Sequence, residues 1–396
     1  MLFLKMKDEM KYCIKKINDV ETPVSTILTN DFLPEFINME LLRKIEKKVI
    51  LNCPLFEVYN QLDVLEKAKE FFNKKSDKSK NYLDNFCDFE GTYRYMNIRN
   101  VLTNNFSINI NKYITLKYNN STVVFSIDDF LKCIEIFEPN IFCIPSEEIK
   151  INEDIGKKKK IRIINLMDEF LEKIKTMKEN SLHNSLCILS IPSTINIHNL
   201  ITDILNKYNC ILDGYLLSGI GYDESNEIRT KYLKNILNVL PDDKLKFIQL
   251  SIGNPIEILH SIFNGIDIIE TNFPYYLAKN GKAINMNIKM NESNYNSKLH
   301  DINLINFKNS ENFIIDLNDT KYNFDFSTIT NNSPRKETKS YIHHLLKCQE
   351  LTAHVILTYH NLYIYNLFFK EIQTQIKNNN FLNYISWFVE NHNLSL

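Results

Sequence analysis

The stretch KFIQLSIGNPIEILHSIFNGIDIIET, residues 246–271, contains one complete strand–helix–strand unit. KFIQLSI (246–252) and IDIIET (266–271) are apolar segments of strand length, and the segment between them carries helical signals. Pro255 is typical of the first turn of a helix, and Gly265 is typical of its end. Because apolar strands that alternate with helices are buried on both faces, the stretch predicts two parallel strands covered by helices.

The same alternation extends towards the N-terminus. The sequence predicts further strands at 122–127, 138–145, 186–191 and 211–217, and further helices at 128–137, after the basic run at 157–160, near 196–207 and at 227–240. No G-x-G-x-x-G motif follows the first of these strands, as a dinucleotide-binding sheet would require. Repeated strand–helix units joined by short loops therefore favour a (β/α)8 barrel.

Changes in composition along the chain predict four parts. They are a divergent N-terminal part of the barrel (1–110), the barrel core (111–284), an Asn-rich insertion (285–337) and a C-terminal helical subdomain (338–396). Within the insertion only NFIIDL (312–317) has the pattern of a strand, and we expect the rest to be partly disordered. The last part has a long apolar helical face, which needs either the barrel or another chain as a partner.

Charge and composition argue against several classes of protein. The 396 residues include 47 Lys and Arg and 48 Asp and Glu, and this balance is atypical of a protein that coats nucleic acid. No apolar run approaches the ~20 residues that span a membrane, and the apolar start Met1–Leu4 is too short for a signal peptide. The eight cysteines show no C-x-x-C spacing, which is typical of reduced thiols in the cytosol.

Two segments resemble the tRNA-guanine transglycosylase family. The first is 240–287, which begins LPDDK, and the second is 339–372, which contains YIHHLL and TYHN. LLSGIGYDES (216–225) stands where that family has its glycine–glycine loop for the base, and the resemblance is nearly continuous from about residue 120. IETNFPYY (269–276) is similar to the non-catalytic accessory branch of the eukaryotic queuine tRNA-ribosyltransferases.

The resemblance implies base exchange on tRNA, in which a carboxylate attacks C1′ of the ribose and a second acid moves protons. Glu270 stands at the nucleophile position, where catalytic members carry an aspartate. The region of the second acid reads NFCDFEGTYRYMN (85–97) without the family motif, and 144–146 (Ile-Pro-Ser) replaces an aspartate pair that contacts the base. In the base loop, Ser218 and Gly219 stand at the two glycine positions.

These departures predict that the chain has no catalytic residue of its own. It would be an accessory subunit that forms a heterodimer with a catalytic queuine tRNA-ribosyltransferase subunit and supports exchange of guanine for queuine at the tRNA wobble position. Two alternatives remain open: an active transglycosylase that uses Glu270 as nucleophile, and a scaffold barrel that no longer binds tRNA. We expect a cytoplasmic location and leave peripheral attachment to the mitochondrial outer membrane open.

The structural zinc site that the resemblance implies is expected to be lost, so no cofactor is predicted. Its three cysteine positions fall near Ile329, Asn331 and Pro334, and none of these residues is a metal ligand. His360 stands at the fourth position. The alternative is a substitute metal site built from nearby side chains, namely His343, His344, Cys348 and His354.

Two basic segments are candidate contacts for RNA phosphates, and a solvated surface or docking to the partner is the alternative for both. The candidates are Lys157, Lys158, Lys159, Lys160 and Arg162 in the first segment, and Lys74, Lys75, Lys78 and Lys80 in the second. The apolar and aromatic face of 339–372 is expected to border the interface with the catalytic subunit. The alternative is that this face packs wholly on its own barrel.

Overall fold

The computed structural model contains two units, which we call the central unit and the terminal unit. The described residues are 12–75, 81–98, 108–110, 113–118, 121–151, 153–180, 185–194, 198–222, 224–290, 302–305, 312–392 and 394. The central unit comprises Thr26–Leu33 and Lys48–Ser251, and the terminal unit comprises Met1–Ser25, Pro34–Lys47 and Ile252–Leu396. Within the described ranges, no helix is both long enough and apolar enough to cross a membrane.

The strands and helices are numbered in chain order. The strands are β1 (Lys16–Ile17), β2 (Val20–Glu21), β3 (Val24–Ser25), β4 (Ile27–Asn30), β5 (Leu33–Pro34), β6 (Ile50–Pro54), β7 (Tyr93–Asn97), β8 (Ile108–Ile110), β9 (Tyr113–Tyr118), β10 (Ser121–Phe125), β11 (Ile141–Ile144), β12 (Leu186–Pro192), β13 (Gly214–Ile220), β14 (Leu245–Leu250), β15 (Ile268–Glu270), β16 (Lys282–Ile284) and β17 (Ile314–Asp316). The helices are α1 (Met39–Ile45), α2 (Leu55–Asn60), α3 (Leu62–Lys75), α4 (Tyr82–Phe86), α5 (Ile127–Phe137), α6 (Lys157–Asn180), α7 (His198–Tyr208), α8 (Asn226–Leu237), α9 (Pro255–Phe263), α10 (Phe273–Lys279), α11 (Lys339–Lys347), α12 (Leu351–Lys377) and α13 (Phe381–Asn391).

The central unit is built on parallel strands. They lie in the order β14, β13, β12, β11, β7, β6, β4, and each pairs in parallel with the next. Every residue of β6, β11 and β13 is buried, so that both faces of these strands are covered. Helices α6, α7 and α8 connect successive strands from β11 to β14. This alternation confirms the α/β class and agrees with the (β/α)8 barrel predicted from the sequence.

Two local predictions are wrong. Residues 122–127 do not form a parallel strand, because β10 pairs antiparallel with β9 in a separate sheet. Val124 is exposed and Phe125 is buried, a one-sided pattern that suits an antiparallel sheet with one covered face. The basic run at 157–160 does not precede its helix, because it forms the first turn of α6.

The terminal unit combines short strand pairs with the C-terminal helices. β15 pairs in parallel with β3, and β16 pairs antiparallel with β17, which lies within the predicted strand at 312–317. α12 has 27 residues and buries many of its apolar side chains, such as Leu357 and Phe368. Residues 291–301 and 306–311 of the Asn-rich insertion lie outside the described residues. The boundaries at 110, 284 and 337 stay a prediction.

Glu57 of the central unit has a deeply buried carboxyl group. Glu57 lies in the first turn of α2 and is 2% exposed. Burial raises the pKa of Glu57 from 4.5 to about 8. The folded chain therefore holds this proton more tightly than the unfolded chain does. Its contribution to stability is fully present below the unfolded pKa of 4.5 and is lost as the pH rises through about 8.

We predict that Glu57→Gln removes this pH dependence. Near pH ~9 the variant should exceed the wild type in free energy of unfolding by up to ~4 kcal/mol, because the amide stays neutral when buried. Near pH ~5 the two proteins should differ little, and urea unfolding at both pH values measures the difference. Glu70→Gln, at an exposed position of α3, is the matched control. The same loss of stability with rising pH in Glu57→Gln and in the wild type would contradict the prediction.

Candidate functional site

Three serines lie at the carboxyl ends of neighbouring strands in the central unit. Ser146 follows β11, Ser190 lies in β12 and Ser218 lies in β13, and all three are buried. Ser146 Oγ donates to Ser190 Oγ at 3.1 Å, and Ser190 Oγ donates to Ser218 Oγ at 3.4 Å. Barrel enzymes place their reacting groups at the carboxyl ends of strands. These three strands present hydroxyl groups there, which form hydrogen bonds but carry no charge.

The segment Ser146–Ile151, which we call the covering segment, lies directly on Gly219. Gly219 has a φ of +83°, and a Cβ at this position would lie 1.9 Å from the carbonyl oxygen of Ile149. The Ile151 amide also donates to the Gly219 carbonyl oxygen at 3.2 Å. Position 219 therefore requires glycine, and the space beside its Cα is filled by backbone of the chain itself.

Ionic and polar contacts hold the covering segment in place. Glu147 is 3% exposed, and its carboxylate binds Lys159 Nζ and an Arg162 nitrogen, each at 2.9 Å. Tyr222 donates from its hydroxyl to the carboxylate of Glu148 at 3.3 Å. Buried carboxylates need such partners, because burial without them is costly. Nothing in the sequence marks this segment as buried, because two glutamates after a strand are typical of an exposed loop.

The loop after β13 is also tied down. Glu224 accepts hydrogen bonds from the amides of Gly221 and Tyr222 at 2.7 and 3.0 Å. Arg229 Nε donates to the same carboxylate at 2.7 Å. Burial alone would raise the pKa of Glu224, but the charge of Arg229 and the amide hydrogen bonds lower it. The predicted base loop is therefore organised by an ion pair within the central unit.

The segment 85–97, where the resemblance places the second acid, ends with the side-chain amide of Asn97. β7 ends at Asn97, which is 1% exposed, and its Oδ1 accepts the Ile98 amide at 2.6 Å. The carboxylates of this region, Asp88 and Glu90, are exposed and precede β7, so they lie at the opposite end of that strand. An amide side chain does not exchange protons near neutral pH, so Asn97 cannot replace an acid.

The predicted RNA contacts differ in their surroundings. Lys157 and Lys158 are exposed in the first turn of α6, and Lys160 is half-buried. Lys159 and Arg162 bind the first carboxylate of the covering segment. In the second basic segment Lys74 is exposed, whereas Lys78, Lys80 and the side chain of Lys75 lie outside the described residues.

In the terminal unit, Glu270 is the last residue of β15 and is fully buried. The chain then turns into α10, which begins at Phe273 and has Pro274 in its first turn. Thr271 shapes the turn, since its Oγ1 donates to the Ile252 carbonyl oxygen at 2.5 Å and accepts the Phe273 amide at 3.1 Å. The predicted nucleophile position thus lies at the carboxyl end of a parallel strand.

The turn before α9 packs against Thr271. Gly253 has a φ of +78°, and a Cβ at this position would lie 2.2 Å from Thr271 Oγ1. Tyr365 of α12 donates to the Gly253 carbonyl oxygen at 2.8 Å. Asn254 and Glu257 cap the helix reciprocally, because each side chain accepts a backbone amide of the other residue. These contacts fix the strand end that carries Glu270.

Asn361 joins three elements of the terminal unit. Its Nδ2 donates to the carbonyl oxygens of Pro274 and Lys282, each at 3.1 Å, and its Oδ1 accepts the Ile284 amide at 2.8 Å. α12 is thereby bound to α10 and to β16. The TYHN sequence, which supported the resemblance, holds these elements together through a fully buried amide.

His360 does not have the surroundings of a zinc ligand. Its Nε2 donates to the Ile284 carbonyl oxygen at 2.9 Å, so its Nδ1 accepts from Ser333 Oγ at 3.2 Å. Burial lowers the pKa of His360 to about 4, which keeps the ring neutral. Ile329, at one cysteine position, is buried in an apolar cluster with Ile342 and Leu357. Both ring nitrogens are used and the other positions offer no ligand, so these residues do not fit a zinc ion.

The histidines of the alternative metal site do not converge. His343 donates to the Leu317 carbonyl oxygen at 2.7 Å, whereas His354 donates to the Ala278 carbonyl oxygen at 3.0 Å. Cys348 Sγ lies 3.8 Å from His344 Nε2, and both residues are on the exposed face of α11. Among the described residues, no group of three or more His, Cys, Asp and Glu could hold a metal ion.

Comparison with known proteins identifies similar chains. A family model described as queuine tRNA-ribosyltransferase matches residues 12–394. A queuine tRNA-ribosyltransferase-like protein of Plasmodium falciparum (isolate 3D7) is 66% identical over 396 residues, which cover 97% of this chain and 97% of that protein. A protein of the same description from Theileria parva is 25% identical over 394 residues, which cover 94% of this chain and 91% of that protein.

More distant similarities carry two different names. A queuine tRNA-ribosyltransferase of Clostridium kluyveri is 30% identical over 173 residues, which cover 44% of this chain and 40% of that protein. The queuine tRNA-ribosyltransferase accessory subunit 2 of Aedes aegypti is 24% identical over 269 residues, which cover 64% of this chain and 60% of that protein. The names of these relatives agree on the family. Of these relatives, only the distant one from Aedes aegypti is named as an accessory subunit. The departures from the family pattern at Ser218 and Ile329, and the amide of Asn97, bear on which role this chain has within the family.

We predict that the purified chain contains much less than one zinc ion per molecule. Both ring nitrogens of His360 are hydrogen-bonded, and Ile329 offers no ligand. Elemental analysis of protein purified without chelators measures the metal content. Metal at one zinc per chain that disappears in His360→Ala but persists in His344→Ala would show that a zinc site exists after all.

Proposed function

The chain belongs to the queuine tRNA-ribosyltransferase family, and from this we propose that it is a non-catalytic accessory subunit. It would bind tRNA beside a catalytic partner subunit, which exchanges guanine for queuine at the wobble position. The observation that carries the proposal is the contact between Ile149 and Gly219. The covering segment lies against Gly219, which the resemblance assigns to the base loop, and this contact supports a site that does not take up the base.

The chemical groups around this position support the same conclusion. Base exchange by double displacement needs a nucleophile, a second acid and groups that read the base edge. The central unit offers serine hydroxyls at its strand ends and the amide of Asn97 where the second acid is expected. Neither kind of group takes up or releases a proton readily at neutral pH. The carboxylate of Glu147, which follows β11, is paired with Lys159 and Arg162, so the serines and Asn97 offer hydrogen bonds in place of a second acid.

An active transglycosylase is the second candidate function, because Glu270 is a buried carboxyl group at the end of β15. Carboxyl groups at strand ends are typical nucleophiles of barrel enzymes. Glutamate is longer than aspartate by one methylene, however, which moves the carboxylate by ~1.5 Å, and misplacement by ~1 Å can cost ~10²-fold in rate. The geometry therefore favours an inactive chain.

Contact with tRNA would depend on a few exposed lysines. The chain has a net charge of −1, so binding needs a local basic surface. Lys157 and Lys158 provide exposed positive charge in the first turn of α6. Such contacts weaken steeply with salt, because the binding releases counterions from the RNA.

The structure differs from the predicted partner surface within 339–372. The aromatic side chains expected at the interface are Tyr359, Tyr363, Tyr365, Phe368 and Phe369. Tyr365, Phe368 and Phe369 are buried in the terminal unit, whereas Tyr359 and Tyr363 are half-buried. Tyr365 and Phe369 pack edge to face with 5.3 Å between ring centroids. The three buried aromatics therefore stabilise their own unit and cannot contact another chain.

Another aromatic surface of the terminal unit is open. Phe324 and Phe326 are 84% and 71% exposed, and Tyr341 is 48% exposed. The amides of Lys339 and Ser340 donate to the carbonyl oxygens of Ser327 and Asp325, each at 2.9 Å, and bind this loop to the first turn of α11. Exposed aromatic side chains on ordered backbone are typical of interface anchors. We propose these three aromatics as the contact for the catalytic subunit.

We predict that the chain alone incorporates no labelled guanine or queuine into tRNA, because the amide of Asn97 ends the strand on which the second acid is expected. Addition of the catalytic family member from the same cell should yield turnover, and Glu270→Gln in this chain should leave that turnover within about twofold of the wild-type complex. The control is the catalytic subunit alone. Incorporation by the purified chain that is abolished by Glu270→Gln would instead establish the active enzyme.

We predict that Phe324→Asp combined with Phe326→Asp weakens binding of the catalytic subunit at least ~10-fold, since a charge would replace two apolar anchors. Co-purification and a binding titration measure the loss. Phe71→Asp is the matched control, because Phe71 is an exposed aromatic residue of the central unit. Unchanged binding by the double variant would remove this surface from the proposal.

A further inference from the structure

We infer that RNA binding at the start of α6 releases the covering segment from Gly219. The inference rests on the proposed contact with tRNA and adds a consequence of that contact. The group that links the two events is the carboxylate of Glu147, because it belongs to the covering segment and is bound by residues of α6.

Glu147 is held by two cations that solvent can reach. Its side chain is 4% exposed, while those of Lys159 and Arg162 are 31% and 38% exposed. Lys159 also lies 3.7 Å from Glu153, whose side chain is 51% exposed. The cationic groups therefore have one side towards the buried carboxylate and another towards the surface.

A phosphate is a suitable competitor for these cations. Arginine and lysine bind phosphate oxygens by the same charge-assisted hydrogen bonds that they form with carboxylates. Lys157 and Lys158 add positive charge in the same turn of helix, and neither forms an ion pair within the described part of the chain. An RNA backbone at this turn would meet four cationic side chains, two of which now bind Glu147.

Loss of the cations would free the covering segment. A buried carboxylate without a partner is unfavourable, so Glu147 would move towards water once phosphate takes Lys159 and Arg162. The other contacts of the segment include hydrogen bonds of Ser146 Oγ to Ser190 Oγ at 3.1 Å and of the Ile151 amide to the Gly219 carbonyl oxygen at 3.2 Å. Tyr222 donates to the Glu148 carboxylate at 3.3 Å, and the side chains of Ile149 and Ile151 are buried. None of these contacts supplies a counter-charge for Glu147. Release of the segment would uncover Gly219 and the neighbouring Ser218.

The test is hydrogen exchange of the full chain with and without tRNA, followed by mass spectrometry of peptides that contain Ile151. Saturating tRNA should accelerate exchange of the Ile151 amide at least ~10-fold, because its hydrogen bond to Gly219 opens. Heparin, a sulfated polyanion, should have the same effect if charge alone drives release. Amides of the β12–β13 ladder are the internal reference and should not change.

Variants test, without RNA, whether the ion pairs of Glu147 with Lys159 and Arg162 hold the covering segment in place. Lys159→Ala combined with Arg162→Ala should give the fast exchange of Ile151 in the free chain, and tRNA should add little to it. Lys157→Ala combined with Lys158→Ala is the matched control, with slow exchange in the free chain and weaker tRNA binding. Circular dichroism and exchange of the reference ladder show whether each variant is folded.

Two results would overturn the inference. The first is tRNA that binds while exchange of Ile151 stays slow, and the second is slow exchange in the folded variant without Lys159 and Arg162. If tRNA does not bind, the proposed function fails. The variant without Lys159 and Arg162 and the measurement with heparin still decide whether the ion pairs of Glu147 hold the covering segment.

Discussion

The contact between Gly219 and the carbonyl oxygen of Ile149 is the constraint on which the central unit depends. Any side chain at position 219 would stand 1.9 Å from that oxygen, so glycine and the covering segment require each other. The covering segment in turn buries Glu147, which is compatible with folding because Lys159 and Arg162 neutralise its carboxylate. The close approach of Ile149 to Gly219 thus goes together with the binding of Glu147 by Lys159 and Arg162 at the start of α6. It also covers a residue of the expected base loop.

Packing and hydrogen bonds hold the part of the terminal unit where the family resemblance places zinc. There, His360 is hydrogen-bonded to Ile284 and Ser333, and Ile329 joins an apolar cluster. Asn361, the next residue, connects α12 to α10 and β16 through three hydrogen bonds. Apolar burial and saturated hydrogen bonds supply the cohesion that a structural metal gives other proteins. The strand end with Glu270 is fixed by hydrogen bonds of Thr271 and Tyr365.

Sequence alone predicted the parts of the fold that depend on local signals. The strand–helix unit at 246–271 is marked by apolar strands, Pro255 and Gly265, and it occurs as β14, α9 and β15. β10 was assigned wrongly because its one-sided burial depends on pairing with β9. The covering segment was missed because Glu147 is buried only through cations that lie more than ten residues further along the chain. Long-range ion pairs leave no periodic pattern.

We propose that this chain, whose covering segment lies on Gly219 in the absence of RNA, performs no covalent chemistry on tRNA. Double displacement would pass through a covalent bond between protein and C1′ of the ribose. The direct measurement is therefore a denaturing gel of labelled tRNA incubated with the purified chain, with a catalytic family member as positive control. We predict no protein–tRNA adduct at any time point for this chain. An adduct that forms with the wild type and is absent in Glu270→Gln would contradict the account.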